Sequence, residues 1–442
     1  MLTSEVQNRI NQLNPWLIKP ERANEFIDVL LPDIYIHRYV EQYLVNTEKA
    51  VLLIGPRQSG KSTLVWRLMR EYAPNILCLN MEDPLLRIGC ESIADFVEHF
   101  RERYFFVKAL FIDEAQHMNE AGLFVKGLVD AKLGMPIWIT GSSSFHLKSK
   151  TRESLAGRAT RHRLFPFSIE ELIKHANPSN PISAKAISEQ ITSHQIIFGS
   201  YPAIYLAKNE NEKIALLNDL VDALILRDAS DLFRIKRVDA FRKLLTLLAG
   251  QIGSLVNTSE LASICNVDVG TINAYIQLLE ESHIVKKTLP FAGGKRREIT
   301  GASKIFFIDN GIRNQLLNHF STELALRTDK GQLFENWVFT EIHKSLPFQS
   351  SLKFWRSKAG AEVDFVIEHT GKIYPIEVKF SFLKHPKLER SATSFIQAYK
   401  PKEFIVINMA LENTNIEFEN CAVNFITPYG LFQWLSGHLN KS

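Results

Sequence analysis

Residues 55–63 read GPRQSGKST, the spacing G-x-x-x-x-G-K-[ST], and they lie between an apolar run, KAVLLIG, and a helical one, STLVWRLMREY. A phosphate-gripping loop requires that setting, after a strand and opening a helix. Gly55 and Gly60 let backbone N–H groups turn inward around phosphate oxygens, and the helix start adds the positive end of its dipole. Pro56, Arg57, Gln58, Ser59 and Thr63 complete the cradle, Lys61 reaches the β- and γ-phosphates, and Ser62 offers a hydroxyl to Mg²⁺. The run ALFIDEAQ (109–116) ends on Asp113, placed to hold the Mg²⁺ hydration shell, and Glu114, placed to orient or deprotonate the attacking water. The alternative makes the two acids a helix N-cap signal after the strand, a reading that the phosphate loop upstream disfavours. PIWIT runs into GSSS, where Ser142 or Ser143 is either a γ-phosphate contact or part of a turn. Arg152 and Arg158 are candidates for the arginine that stabilises a transferring phosphoryl group, with a solvated surface role as the alternative.

A second group sits in AEVDFVIEHTGKIYPIEVKF (361–380), two alternating runs about Thr370-Gly371. A hairpin turning there sets Asp364 opposite Glu377 and Glu362 opposite Lys379, all four on one face, with Val363, Phe365, Ile376 and Val378 on the other. Directly opposed like charges destabilise a sheet. Three arrangements resolve the conflict: an exposed face with a Glu362–Lys379 ion pair, a docking surface for a basic partner, or a divalent metal shared by two carboxylates about 4.5–5.5 Å apart. In the last, Lys379 would stabilise charge on a phosphate or position water.

These residues need several domains to hold them, because single cores rarely exceed about 250–300 residues and this chain has 442. A hydrophobic content of 45% and a charged content of 23% suit a soluble globular protein. Cys78, Cys90, Cys265 and Cys421 are scattered with no CxxC pair, which argues against structural zinc or a disulfide framework and for a reducing cytoplasm. The start, MLTSEVQNRINQLNPW, is not patterned as a signal peptide. No run approaches the roughly 20 apolar residues of a membrane span, so no membrane partner is expected.

From about residue 48, strand-length apolar runs alternate with helical stretches, the pattern of a parallel sheet covered on both faces. Residues 169–250 read mostly as helices. TSELASICNVDVGTINAYIQLLEESHIVKK (258–287) then has helix-turn-helix spacing, with Leu261, Ala262 and Ile264 packing one helix. Asp268 caps a second helix, striped by Ile272, Tyr275, Ile276, Leu278 and Leu279. Residues 286–304 set Lys286, Lys287, Lys295, Arg296, Arg297 and Lys304 against Glu298 alone. A strand-turn-strand wing with Lys295, Arg296 and Arg297 at its tip would contact DNA phosphates, or else be a solvated edge of a packing module.

GPRQSGKST, FIDEAQ, TGSSS and AGR…LFPFSIEEL together resemble the AAA-type ATPases of bacteria and archaea in which a C-terminal domain of unknown function follows the ATPase. The resemblance runs from about 35 to 435 and implies ATP as the nucleotide, and ring assembly with arginines acting across subunits of a homo-oligomer. Asp364 with Glu377-Val378-Lys379, preceded by Glu335 in GQLFENWVFTEIHK, is similar to the PD-(D/E)xK nucleases, with valine in place of the proline. That similarity implies Mg²⁺ or Mn²⁺ on Glu335, Asp364 and Glu377, with Lys379 assisting hydrolysis. His343 and His385 are expected to be surface or core histidines.

The expected architecture is α/β: an N-terminal helical segment (1–45), an AAA-type P-loop NTPase parallel-sheet domain (46–168), a helical lid (169–235), a winged helix (236–303) and a nuclease-like α/β domain (304–442). The expected function is ATP hydrolysis coupled to metal-dependent action on DNA. Alternatives are a nucleotide-dependent switch whose nuclease-like domain binds nucleic acid or protein without cutting, or a protein-remodelling or signalling ATPase.

Overall fold

A computed structural model of the chain describes residues 3–45, 48–141, 155, 157–224, 235, 237–292 and 301–439. Two compact units divide it: Met1–Pro166 with Glu281–His283, and Phe167–Glu280 with Ile284–Ser442.

In the first unit, strands β1 (Ala50–Ile54), β2 (Ile76–Asn80), β3 (Ala109–Asp113), β4 (Ile137–Gly141) and β5 (Ala159–Arg163) form one sheet in the order β2-β3-β4-β1-β5. Every neighbouring pair is parallel. Alternate residues feed opposite cores: Leu52, Leu77, Leu110 and Ile139 pack on one side, and Leu53, Cys78, Phe111 and Trp138 on the other. Burial on both faces is why the central strands read as unbroken apolar runs rather than as alternation. Because all strands run the same way, the C-terminal ends of β1, β3 and β4 gather at one end, where ligands of open α/β sheets bind.

The N-terminal segment closes the sheet at its β2 edge. Asn14 exchanges hydrogen bonds with Cys78, Nδ2 to O at 2.9 Å and N to Oδ1 at 2.7 Å, and Trp16 Nε1 donates to Ile76 O at 2.9 Å. An edge strand presents unpaired backbone groups, and these side chains satisfy them.

The second unit opens with helices Ile169–Ala176, Pro181–Phe198, Glu210–Ala223 and Val238–Gly250. Helices Thr258–Cys265 and Val269–Glu281 follow, then an antiparallel ribbon of β6 (Val285–Pro290) and β7 (Lys304–Phe307). Asp268 caps the second of these helices, accepting from Thr271 N at 2.8 Å. Ile272, Tyr275, Ile276 and Leu279 form its buried stripe. Ile264, expected to pack, is instead 39% exposed; Cys265, one position on, turns inward with Leu261 and Ala262.

The ribbon continues into a larger sheet. β8 (Ser351–Arg356), β9 (Glu362–His369), β10 (Lys372–Val378), β11 (Glu403–Ile407), β12 (Thr414–Phe418) and β13 (Cys421–Ile426) join it in the order β12-β13-β11-β10-β9-β8-β6-β7. Helix Arg390–Tyr399 lays Ala392, Phe395 and Ile396 on one face of this sheet against Val363, Phe404 and Val423. Helix Lys330–Ser345 is buried along most of its length. Among the described residues no helix is long and apolar enough to cross a membrane.

Candidate nucleotide site and acid cluster

The loop after β1 turns through left-handed conformations at Gln58 (φ 57°) and Gly60 (φ 91°), and helix Lys61–Met69 begins directly behind it. Gly55 has no room for a side chain, since a Cβ there would stand 2.0 Å from Leu164 O. Lys61 is 4% exposed and donates from Nζ to the carbonyl oxygens of Pro56 (2.7 Å) and Gly55 (3.2 Å). Ser59 is fully buried, and its Oγ has no hydrogen-bond partner. A narrow cradle, a helix N-terminus, an ammonium resting on neutral acceptors and an orphaned buried hydroxyl together fit a polyphosphate.

The strand ends complete this arrangement. Ser62 Oγ donates to Asp113 Oδ1 at 2.9 Å, Thr140 Oγ1 donates to the same oxygen, and Glu114 N donates to Thr140 Oγ1 at 3.1 Å. Burial pushes the Asp113 carboxyl up, against the opposing pull of Thr140 and Ser62. This oxygen-rich set, with one buried carboxylate beside a hydroxyl, suits Mg²⁺. Glu114 occupies a left-handed position (φ 54°) and accepts from Gln116 Nε2.

Among the described residues, one group of three metal-capable side chains lies within 4.8 Å of one another: Glu82, Glu114 and His117.

Two residues here escaped the sequence analysis. Thr140 lies two positions before the Ser142 that was expected to serve; Ser142, Ser143 and Arg152 fall outside the described residues. Arg38, 7% exposed, donates from Nη1 to Ser59 O at 3.0 Å and from Nη2 to Phe165 O, bracing the loop from the N-terminal segment. Its signal was an arginine set among aromatic and aliphatic residues in DIYIHRYV.

Arg158, a candidate for the phosphoryl arginine, is engaged elsewhere in its own chain. It precedes β5, its carbonyl accepts from Ala50 N at 2.9 Å, and its guanidinium pairs with Asp130 at 2.6 Å. Ala50 starts β1 and the phosphate loop follows Ile54, so at about 3.3 Å per residue Arg158 lies a strand length from the loop of its own chain.

In the second unit, β9 and β10 turn at Thr370 (φ 48°) and Gly371 (φ 76°), and their ladder runs from Lys372–His369 to Phe365–Ile376, the register expected from the sequence. Val363, Phe365 and Ile376 are wholly buried on one face. On the other, Asp364 Oδ2 accepts from Val378 N at 2.7 Å, which draws it toward Glu377.

The expected Glu362–Lys379 pair does not form. The β9–β10 ladder stops at Phe365–Ile376 and β10 ends at Val378, while Lys379 N bonds to Ile407 O of β11 at 2.8 Å. Lys379 Nζ pairs with Glu377 Oε1 (2.8 Å) and Glu389 Oε2 (3.0 Å). Glu362 pairs with Lys304 and with Arg356 Nη1 (3.3 Å). Lys304 also reaches Glu335 Oε1 at 3.3 Å. Of the basic stretch expected on a wing surface, Lys304 is thus almost fully buried and Lys286 is tied to Glu280 at 3.0 Å, while Lys295, Arg296 and Arg297 fall outside the described residues.

Burial, then repulsion from Asp364, raises the carboxyls of Glu335 and Glu377; burial likewise raises Asp364. Against the burial that opposes its charge, Glu377 and Glu389 hold the Lys379 ammonium above its ordinary range. Glu377 is 6% exposed, and its Oε2 has no hydrogen-bond partner. Asp364 and Glu377 therefore fit a hard cation. Glu335, expected to join them, pairs with Lys304 at 3.3 Å and does not close with them into a group of three within 4.8 Å. A cavity of about 430 Å³ lies over Glu377 and Lys379, lined also by Lys387, Glu389 and Arg390. His343 stacks on Phe339 with centroids 5.5 Å apart, and His385 is exposed.

Residues 47–173 match the family model described as an AAA domain, and residues 189–323 and 330–430 match two models each described as a domain of unknown function. The chain is similar to an uncharacterized protein of Methanocaldococcus jannaschii, 24% identical over 401 residues that cover 88% of this chain and 87% of that one. An uncharacterized protein of Mycobacterium tuberculosis is 26% identical over 356 residues, 78% of this chain and 73% of its own length. The solved Aeropyrum pernix ORC1 protein in complex with DNA aligns over 65% of this chain and 94% of its own at 13% identity and a TM-score of 0.32. With the phosphate loop, the Ser62–Asp113 contact and the family match on one segment, residues 47–173 are an AAA-type P-loop ATPase domain.

Proposed function

We propose that the chain binds and hydrolyses ATP in its first unit and acts on DNA through its second, where the helix-turn-helix and ribbon form a winged helix and the acid cluster a metal-dependent phosphodiesterase. The Ser62–Asp113 hydrogen bond carries the first half, since it joins the helix that follows the loop to the strand end that must share a Mg²⁺ with it. Lys61 exchanges its carbonyl acceptors for the phosphates, Thr140 keeps Asp113 aimed, and Glu114 orients water. Mg²⁺ would neutralise charge on the phosphates.

The orphaned Glu377 Oε2 beside Asp364 carries the second half. Asp364 and Glu377 would hold Mg²⁺ or Mn²⁺, which supplies Lewis acidity at a scissile phosphate. Lys379, fixed between Glu377 and Glu389, stabilises charge at the mouth of the cavity, and Lys387 and Arg390 line that cavity as phosphate contacts. A second reading, a nucleotide-dependent switch that binds nucleic acid without cutting it, is favoured by one observation: Lys304 and Lys379 each pair with two carboxylates and so leave the cluster largely neutralised.

Plasmid and short DNA incubated with Mg²⁺ or Mn²⁺, with and without ATP, separate these. Cutting lost in Asp364→Ala supports the phosphodiesterase, and cutting that survives it rejects it. DNA-stimulated ATP hydrolysis without cutting supports the switch, and hydrolysis indifferent to DNA rejects both in favour of a protein partner. Hydrolysis retained in Lys61→Ala rejects the nucleotide assignment.

A further inference from the structure

Lys304 is the one lysine of the acid cluster delivered from outside the β9–β10 hairpin and its continuation. It opens β7, whose backbone is held on both sides, by Thr288 in β6 and by Leu255. Its side chain is 4% exposed, spans Glu335 and Glu362, and lies with Nζ 5.4 Å from the ring centroid of Phe354. An aromatic face and two carboxylates fix the ammonium from three directions, a degree of confinement more like that of a bound ion than of a surface lysine.

Taken together, the cluster holds the carboxylates of Glu335, Glu362, Asp364, Glu377 and Glu389 against the cations Lys304, Arg356 and Lys379. Lys304 holds Glu335 and Glu362, whereas Asp364 accepts from Val378 N and Glu377 Oε1 pairs with Lys379, leaving the buried Glu377 Oε2 without a hydrogen-bond partner.

We infer that Lys304 is a built-in cation standing where a second metal ion would bind, so that the cluster takes one divalent ion, on Asp364 and Glu377, and not two. Glu335 and Glu362 are positioning residues for that ammonium rather than metal ligands. The inference rests on the metal reading proposed above, and it specifies the ion count of that site.

Equilibrium dialysis of the full chain against Mn²⁺ without nucleotide tests this, counting ions per chain in excess of Asp364→Ala. That subtraction removes ions held at the nucleotide site or by Glu82, Glu114 and His117. Wild type should take up one such ion, Lys304→Arg should still take one, and Lys304→Met should take two. Glu335→Gln, which leaves the Asp364–Glu377 pair intact, should still take one, and serves if Lys304→Met fails to fold. Two ions in wild type, an unchanged count in Lys304→Met, or uptake lost in Glu335→Gln each overturn the inference. If wild type takes none, the phosphodiesterase proposal fails by itself. The assignment of Lys304 then stands on whether Lys304→Met gains one ion, and falls if it gains none.

Discussion

The nucleotide site and the acid cluster both bury charge, and each satisfies it by different means. At the loop, Lys61 lies on backbone carbonyls, and Asp113 is met by the hydroxyls of Ser62 and Thr140. In the C-terminal sheet, charge is answered by charge, through Lys304, Arg356 and Lys379. The first site is made of backbone shape and short neutral donors, so its identity is local. The second is a balance among residues from four strands, a helix and the segment beyond β10, so it depends on partners far apart in the chain.

The largest expected effect breaks the two apart functionally. Lys61→Ala should slow ATP hydrolysis at least about 100-fold, as removal of one preorganised charge-stabilising donor does, with little loss of folding stability. Asp364→Ala should leave nucleotide-only hydrolysis within twofold. A matching loss in both variants, read by phosphate release, would mean that the sites are not chemically separate.

Backbone shape supplies the next contrast. Gly55→Ala drives a Cβ to within 2.0 Å of Leu164 O, backbone that cannot give way. It should cost on the order of 1–3 kcal/mol by overpacking, together with nucleotide affinity. Gly371→Ala meets no atom within 4 Å but keeps a φ of 76°, so only the left-handed backbone penalty applies, roughly 1 kcal/mol. Urea titrations of the two variants should rank them in that order.

The same contrast explains what could be read from the chain alone. GPRQSGKST is legible because its nine residues form the cradle among themselves, and the β9–β10 register is legible because a two-residue turn fixes every later pair. Arg38 was not, because its acceptors Ser59 and Phe165 are 21 and 127 residues away. Lys304 was misread for the same reason. Counted with its neighbours it looked like a wing cation for DNA, but its partner Glu335 lies 31 residues on, in a buried helix. Lys379 kept its place in E-x-K, yet its ammonium pairs with Glu377 and Glu389, a choice of side-chain partner that period-two alternation does not encode.

Titration should distinguish the acid cluster further. Glu335, Asp364 and Glu377 all have carboxyls raised in the folded state, chiefly by burial. Between their ordinary range near pH 4 and about pH 8, these three groups therefore bind more protons in the folded chain than in the unfolded one, and their contribution to the unfolding free energy falls as pH rises. Melting curves without metal should show that decline. Mn²⁺, which favours the ionised acids, should flatten it, and Asp364→Asn should flatten it without Mn²⁺. A slope unaffected by Mn²⁺ would count against a cation at Asp364 and Glu377.

The smallest effect concerns Arg158, whose position at the start of β5 separates it from the loop of its own chain. Its pair with Asp130 is solvent-exposed, and exposed pairs contribute little. Arg158→Ala should therefore leave the melting temperature unshifted and ATP hydrolysis unchanged at low protein concentration. An arginine that completes a neighbour's site would show itself differently, as a rate per chain that climbs with protein concentration in wild type and stays flat in Arg158→Ala. Measuring hydrolysis across a hundredfold range of protein concentration separates the two. A rate that depends on concentration only while Arg158 is present would return that residue to the nucleotide site from the next subunit, and would make the loop site as dependent on distant partners as the acid cluster is.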